Sequence, residues 1–223
     1  GKADKVDGIL TNPPFGGMEE DGIKNNFPAD VRTKETADLF LVLIIKLLKE
    51  GGKCAMVLPD GALFGEGVKT RIKEKLLTEC NLHTVIRLPK SVFAPYTSIN
   101  TNLLFFEKGT PTTTTWFYRL DMPEGVKAFN KTNPMTIEHF ASVKEWWNNR
   151  QEIQQDGFDK AKQYTFEELK ARNYNLDLCG YPTIEEEILE PEELISRYQT
   201  KRAELNASID SVLADINKIL GIA

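Results

Sequence analysis

Between Val6 and Leu120 the apolar positions come in short blocks separated by polar turns, and the spacing inside each block sorts it into strand or helix. Val6 to Thr11 (VDGILT) is a short apolar run and predicts a buried strand. Residues 36–49 repeat their apolar side chains at helical spacing, and Gly51-Gly52 follows as a stop signal. Cys54 to Leu58 predicts a strand closed by Pro59, residues 69–79 an amphipathic helix, and His83 to Leu88 a strand closed by Pro89. Two further strands are predicted at residues 102–107 and 115–120. This alternation predicts an α/β fold, a mostly parallel sheet with helices on its faces. The last two strands have no helix between them, so the sheet is expected to end in an antiparallel hairpin. Residues 16–34 are polar and glycine-containing, and predict a long loop of the kind that is functional or disordered.

After Leu120 the texture changes, and the chain divides into residues 1–122, a helical or irregular connecting region 123–183, and a long helix 184–223. In the middle part residues 135–149 and 166–172 predict helices, and NYNLDL at 173–178 a short extended piece. In the last part Ile195, Tyr198, Leu205, Ile209, Val212, Ile216 and Ile219 alternate spacings of three and four, broken at Arg202. That is the seam of a heptad helix.

Composition is that of an ordinary globular protein: 223 residues, 41% apolar and 27% charged. The apolar stretch LFLVLIIKLL at 39–48 is too short to span a bilayer and carries Lys46, so it reads as a buried helix. Cys54, Cys80 and Cys179 have no metal-binding spacing and predict free buried thiols in a reducing cytoplasm. From Ile184 onward nine acidic residues face four basic ones, which accounts for the whole net charge of −5 and leaves residues 1–183 neutral. A neutral body does not hold nucleic acid by charge alone.

The stretch NPPFGG at 12–17 carries the chemistry. A motif just past the carboxyl end of a parallel strand sits where open α/β sheets bind ligands. Asn12 offers an amide oxygen and donor, while Pro13 and Pro14 stiffen the backbone, donate nothing and leave their carbonyls free to accept. Phe15 presents a flat apolar face. Two acceptors beside an aromatic platform suit a planar group bearing an NH2, such as adenine. Its amine is a poor nucleophile until both hydrogens are bound and the lone pair is localised. Stacking contributes about 1–3 kcal/mol per base, against the few kcal/mol needed to flip the base out of a duplex. The plain alternative is a proline-rich strand terminator with Phe15 tucked into the core.

Here the chain resembles the adenine-specific DNA methyltransferases, whose motif is Asn/Asp-Pro-Pro-Phe/Tyr. NPPFGG, FPADVRTKETADLFLVLIIKLLKEGGKCAMVLPDGALFG, FAPYTSINTNLLFFEKG and NYNLD together resemble the modification subunit of type I restriction-modification systems. The resemblance implies a Rossmann-like methyltransferase sheet, with Asn12 and the Pro13 carbonyl on the adenine amine and Phe15 stacked on the ring. Phe93 or Tyr96 would supply the opposite aromatic wall, with core or loop-anchor roles as the alternative. Asp60 in LPDG reads as a helix N-cap or turn residue rather than a catalytic one. The family binds S-adenosylmethionine through a Gly-rich turn and an acidic residue upstream of this motif. No such turn precedes Asn12, and FGEG at 64–67 reads as a loop, so the cofactor site is expected upstream of Gly1. The chain is then a C-terminal piece holding the target-base half of the enzyme, inactive by itself, with the 16–34 loop mobile until DNA binds. Implied partners are double-stranded DNA with a flipped adenine, a specificity subunit met by the C-terminal helix, and a restriction subunit. That helix could equally fold back on its own domain.

Two rivals remain. Methyltransferases acting on protein glutamine or on RNA bases share the NPP-aromatic motif, and a non-catalytic assembly module would use only the heptad helix. His83 and His139 read as structural, and no metal-ligand spacing or hydrolase triad is present.

Overall fold

The computed structural model describes residues 5–182 and 191–221, so the predicted helix start at residues 184–190 lies outside them. The chain forms two compact units, Gly1–Pro182 and Thr183–Ala223. In the first, the order is β1 (Val6–Thr11), α1 (Asp21–Lys24), α2 (Thr36–Leu47), β2 (Leu48–Pro59), α3 (Asp60–Phe64), α4 (Val68–Glu79), β3 (Cys80–Arg87), β4 (Thr101–Lys108) and β5 (Thr114–Arg119). Then follow α5 (Ala141–Asn148), β6 (Ile153–Gln155), β7 (Phe158–Thr165) and α6 (Phe166–Ala171). The second unit holds one helix, α7 (Pro191–Leu220).

The strands make one mixed sheet in the order β1-β2-β4-β3-β5-β7-β6. Among the described residues only β1–β2 and β3–β5 are parallel pairs, so antiparallel pairing outweighs the parallel sheet expected. The hairpin is also arranged differently. β4 lies antiparallel between β2 and β3, while β5 crosses to the far side of β3 instead of pairing with β4. Both sites satisfy the directions of the strands, and β4 gains two neighbours in place of one. The β6–β7 hairpin, absent from the sequence reading of residues 123–183, extends the sheet beyond β5.

Alternation along the central strands fills both faces. Leu104 and Phe106 of β4 and Phe117 of β5 join a core with α2, α4 and α6 on one face. Leu103, Phe105, Trp116 and Tyr118 point to the other face, which α5 covers. There the Trp146 ring lies 4.7 Å from Tyr118, and Trp147 lies 4.9 Å from Phe105 and 6.0 Å from His83. Cys54, Cys80 and Cys179 are free and buried, and burial pushes each thiol up to about 12.

Three local expectations change. α2 stops at Leu47, and Gly51-Gly52 falls inside β2, where the register jumps from Val6–Leu48 to Gly8–Lys53. Gly51 takes φ +76° there, so the glycines serve an irregularity in the strand rather than the helix end. β1 is an edge strand with Leu10 87% exposed, not a buried one. Residues 16–34 are not featureless: α1 and a 3-10 turn at Ala29–Val31 lie within them. Buried Val31 and hydrogen bonds from Glu19 N to Lys34 O (2.7 Å) and from Arg71 Nε to Asp30 O (2.5 Å) fix the segment to its surroundings.

Burial and the nearby Arg150 hold the His83 imidazole below its ordinary titration range. The unfolded chain therefore binds the proton first as pH falls through about 6.5, which costs stability. Thermal melts should show Tm dropping between pH 7 and pH 5, and His83→Gln should flatten that drop.

Candidate active site

The NPPF turn follows β1 directly, and β1 reaches it in parallel register with β2, Thr11 standing opposite Met56. Pro13 is buried, Asn12 and Pro14 are exposed, and Phe15 is half-buried. Asn12 has no hydrogen-bond partner among the described residues, so its amide is free for a ligand. The Phe15 ring meets Phe93 edge-on, with centroids 5.3 Å apart and planes at 76°. Such pairs contribute about 0.5–1.5 kcal/mol beyond burial. Tyr96 is 88% exposed and makes no ring contact with either phenylalanine. The structure thus brings Asn12, Pro13, Pro14, Phe15 and Phe93 to one end of the sheet and leaves Tyr96 outward.

Phe93 rides on the connection between β3 and β4, residues 88–100. Internal turns shape it: Ala94 N donates to Ser91 O at 3.0 Å and Tyr96 N to Phe93 O at 2.9 Å. Ser91, at φ +63°, accepts from Phe129 N at 2.8 Å through its hydroxyl, which ties the connection to the 123–136 segment.

Beneath it lies a row of polar side chains that the strand patterns alone do not announce. Register sets Leu58 of β2 opposite Asn102 of β4, Asn102 opposite Arg87 of β3, and Arg87 opposite Arg119 of β5. Asn102, Arg87 and Arg119 are 0%, 6% and 2% exposed. Asp60 is the first residue of α3, not its N-cap, and its Oδ1 accepts from Asn102 Nδ2 at 2.7 Å and from Arg87 Nη2 at 3.2 Å. Arg87 Nη1 donates to Asp177 Oδ1 at 2.6 Å and to Leu178 O at 3.2 Å. Arg119 donates to Asp121 at 2.7 Å and to Gly180 O at 3.0 Å, with Tyr181 5.9 Å from its guanidinium. At the other end of α3, Lys73 Nζ donates to Leu63 O at 2.7 Å and Gly65 O at 2.8 Å. Burial lowers that amine to about 8. An arginine closing each of two apolar strands was the signal available in the sequence.

NYNLDL opens in a turn rather than running extended from its start. Asn173, Tyr174 and Cys179 adopt left-handed backbone at φ +55°, +54° and +49°. Leu176 N donates to Leu63 O at 3.1 Å, and the Tyr174 hydroxyl to Glu74 Oε1 at 3.0 Å.

The profile of the family described as N-6 DNA methylase matches residues 1–189. The chain belongs to the N-6 DNA methylase family. It is 50% identical over 222 residues to the type I restriction enzyme EcoEI methylase subunit of Escherichia coli, covering 99% of this chain and 44% of that protein. A modification subunit assigned to a type I restriction enzyme of Vibrio vulnificus YJ016 superposes with a TM-score of 0.70 at 48% identity, over 76% of this chain and 35% of that one. A component of a type I R-M system, solved to describe complex assembly and conformational transition, gives a TM-score of 0.72 at 36% identity over 98% and 46%. The chain therefore spans less than half the length of these relatives. Its sheet is the α/β sheet of S-adenosylmethionine-dependent methyltransferases of this family.

The residues described do not fit a complete S-adenosylmethionine site. FGEG at 64–67 leads from α3 to α4, helix to helix, and so is not a strand-to-helix glycine turn. Within it Gly65 is crowded, since a Cβ there would meet the Gly61 carbonyl and the Lys69 side chain, whose amine binds Glu35 at 2.6 Å and Asp38 at 2.7 Å, while one on Gly67 would meet nothing within 4 Å. An apolar groove of about 820 Å³ lined by Leu10, Ala55, His83, Phe105 and Trp147 contains neither Asn12 nor Phe15. Among the described residues no His/Cys/Asp/Glu group could hold a metal ion, and no helix is long and apolar enough to cross a membrane.

Replacing Phe93 with Leu keeps apolar bulk but deletes the ring pair. It should lower unfolding free energy by only about 0.5–1.5 kcal/mol in urea denaturation; a loss of several kcal/mol would mean Phe93 is a core residue.

Proposed function

We propose that this chain is the target-base half of a type I restriction-modification methylase subunit that methylates the 6-amino group of adenine in DNA. The observation that carries the reading is the exposed, unpartnered Asn12 beside the Phe15–Phe93 pair. In this reading the Asn12 side-chain oxygen and the Pro13 carbonyl accept the two amine hydrogens and localise the nitrogen lone pair. Phe15 stacks on the flipped ring and Phe93 backs Phe15 from the side. Tyr96, on the exposed tip of the same connection, would meet DNA rather than the flipped base. Binding and orienting the amine is the whole contribution of these residues. S-adenosylmethionine is the methyl donor the family implies, and its site belongs to the remainder of such a protein. The chain alone is then inactive.

The specificity subunit is the proposed partner of α7. Its seam residues Ile195, Tyr198, Leu205, Ile209, Val212 and Ile216 are all exposed, which also supports the narrower reading of an assembly module. A restriction subunit would complete the assembly, acting on double-stranded DNA in the cytoplasm. With residues 1–122 as the catalytic part, 123–183 would connect it to the helix at 184–223.

Calorimetry with S-adenosylmethionine should detect binding to a full-length protein containing this chain and none to the chain alone. Expressed with its specificity subunit, that protein should deposit N6-methyladenine readable by single-molecule sequencing. Asn12→Ala should reduce single-turnover methylation by about 10²- to 10³-fold, the usual cost of losing one key polar contact to a transition state. Unchanged methylation in Asn12→Ala would remove the basis of this reading.

A further inference from the structure

The connection carrying Phe93 leaves β3 and returns as β4, so its position is set at its two stems. Leu88 N donates to Thr101 O at 3.0 Å, joining the stems to each other. Asp60 then binds the returning stem twice: its N–H donates to Asn100 O at 3.0 Å, and its carboxylate accepts from Asn102 at 2.7 Å. The same carboxylate oxygen takes Arg87, the last residue before the outgoing stem. One side chain therefore touches both strands that the connection joins.

Arg87 in turn holds residues 173–180. Its contacts to Asp177 and Leu178 O, with Arg119 on Gly180 O, draw that segment across the carboxyl ends of β3 and β5. The far end of the segment is fixed to α3 and α4 through Leu176 and Tyr174. This is a closed circuit: α3 to β4, β4 to β3, β3 to the segment, and the segment back to α3.

We propose that Asp60 is a positioning residue, acting with Arg87, Asn102 and Asp177 to hold the 88–100 connection so that Phe93 stands against Phe15. The four touch no substrate. They set the separation of the aromatic wall from the NPPF turn, and the inference rests on the base-pocket reading given above. Misplacement by about 1 Å far from the chemistry can cost about 100-fold in rate.

The test uses the full-length methylase assembled with its specificity subunit, on two duplexes: one with the native target adenine to read methylation, and one with 2-aminopurine in its place, which lacks the 6-amino group, to read base flipping. Asp60→Ala should cut single-turnover methylation by about 10- to 100-fold and suppress the fluorescence rise of the flipped base, with S-adenosylmethionine affinity unchanged within about twofold. Asp60→Asn keeps an acceptor for Asn102 and should recover part of both signals. Asp177→Asn, which keeps an amide oxygen for Arg87, should give a smaller loss with the same pattern. Wild-type rate and fluorescence in both Asp60→Ala and Asp177→Asn would overturn the proposal. So would losses matched by an equal loss of cofactor affinity, which mark a general structural role. If the wild-type complex methylates no adenine at all, the base-pocket reading fails first and takes this inference with it.

Discussion

The antiparallel course of β4 between β2 and β3 is the constraint on which the rest of the molecule depends. Because it runs against both neighbours, its first residues meet the last residues of each, and Thr101 and Asn102 arrive beside Pro59, Asp60 and Arg87. A parallel strand in that place would bring its carboxyl end there instead. The β3–β4 connection would then have to cross the whole sheet, and Phe93 would not lie next to the turn that follows β1. The geometry of the candidate site is thus decided by strand direction before any of its own residues act.

That constraint has an energetic side. It gathers Asn102, Arg87 and Arg119 into the interior, where a lone guanidinium is tolerated only with partners. Asp60, Asp177, Asp121 and the carbonyls of Leu178 and Gly180 supply them. Removing one member of a buried ion pair typically costs about 3–5 kcal/mol, far more than an exposed pair contributes. The polar row therefore adds specificity of placement rather than large net stability, in contrast to the apolar faces of β4 and β5.

How much of this was legible follows from the range of each interaction. α2, α4, β3, β4 and β5 announce themselves because their patterns are local: apolar spacing, flanking prolines and turn residues lie within a dozen positions. NPPF was legible for the same reason, since strand, stiff turn and ring are contiguous. Strand order was not, because nothing in TNLLFFEK or TTWFYR states which neighbour each will take. β6 and β7 were missed because FDKAKQYT buries only Ala161 and alternates too weakly to stand out. The Asp60–Arg87–Asp177 link joins residues 27 and 90 positions apart. Each reads alone as a cap, a strand-end charge or a loop acid, and only the fold makes them one feature. β1 was misjudged for a different reason: its apolar letters describe what it can bury, while its exposure depends on what stands beside it.

Leu10 and the unpaired side of β1 set how the isolated chain behaves in the tube. A sheet edge with apolar side chains is a template for another strand, and residues 8–11 carry neither lysine nor proline. Copies of the chain have a ready route to edge-to-edge association that grows with concentration. The six residues of β1 are thus the margin at which such association would start, and a strand supplied in trans there would act as a solubilising partner as much as a structural one.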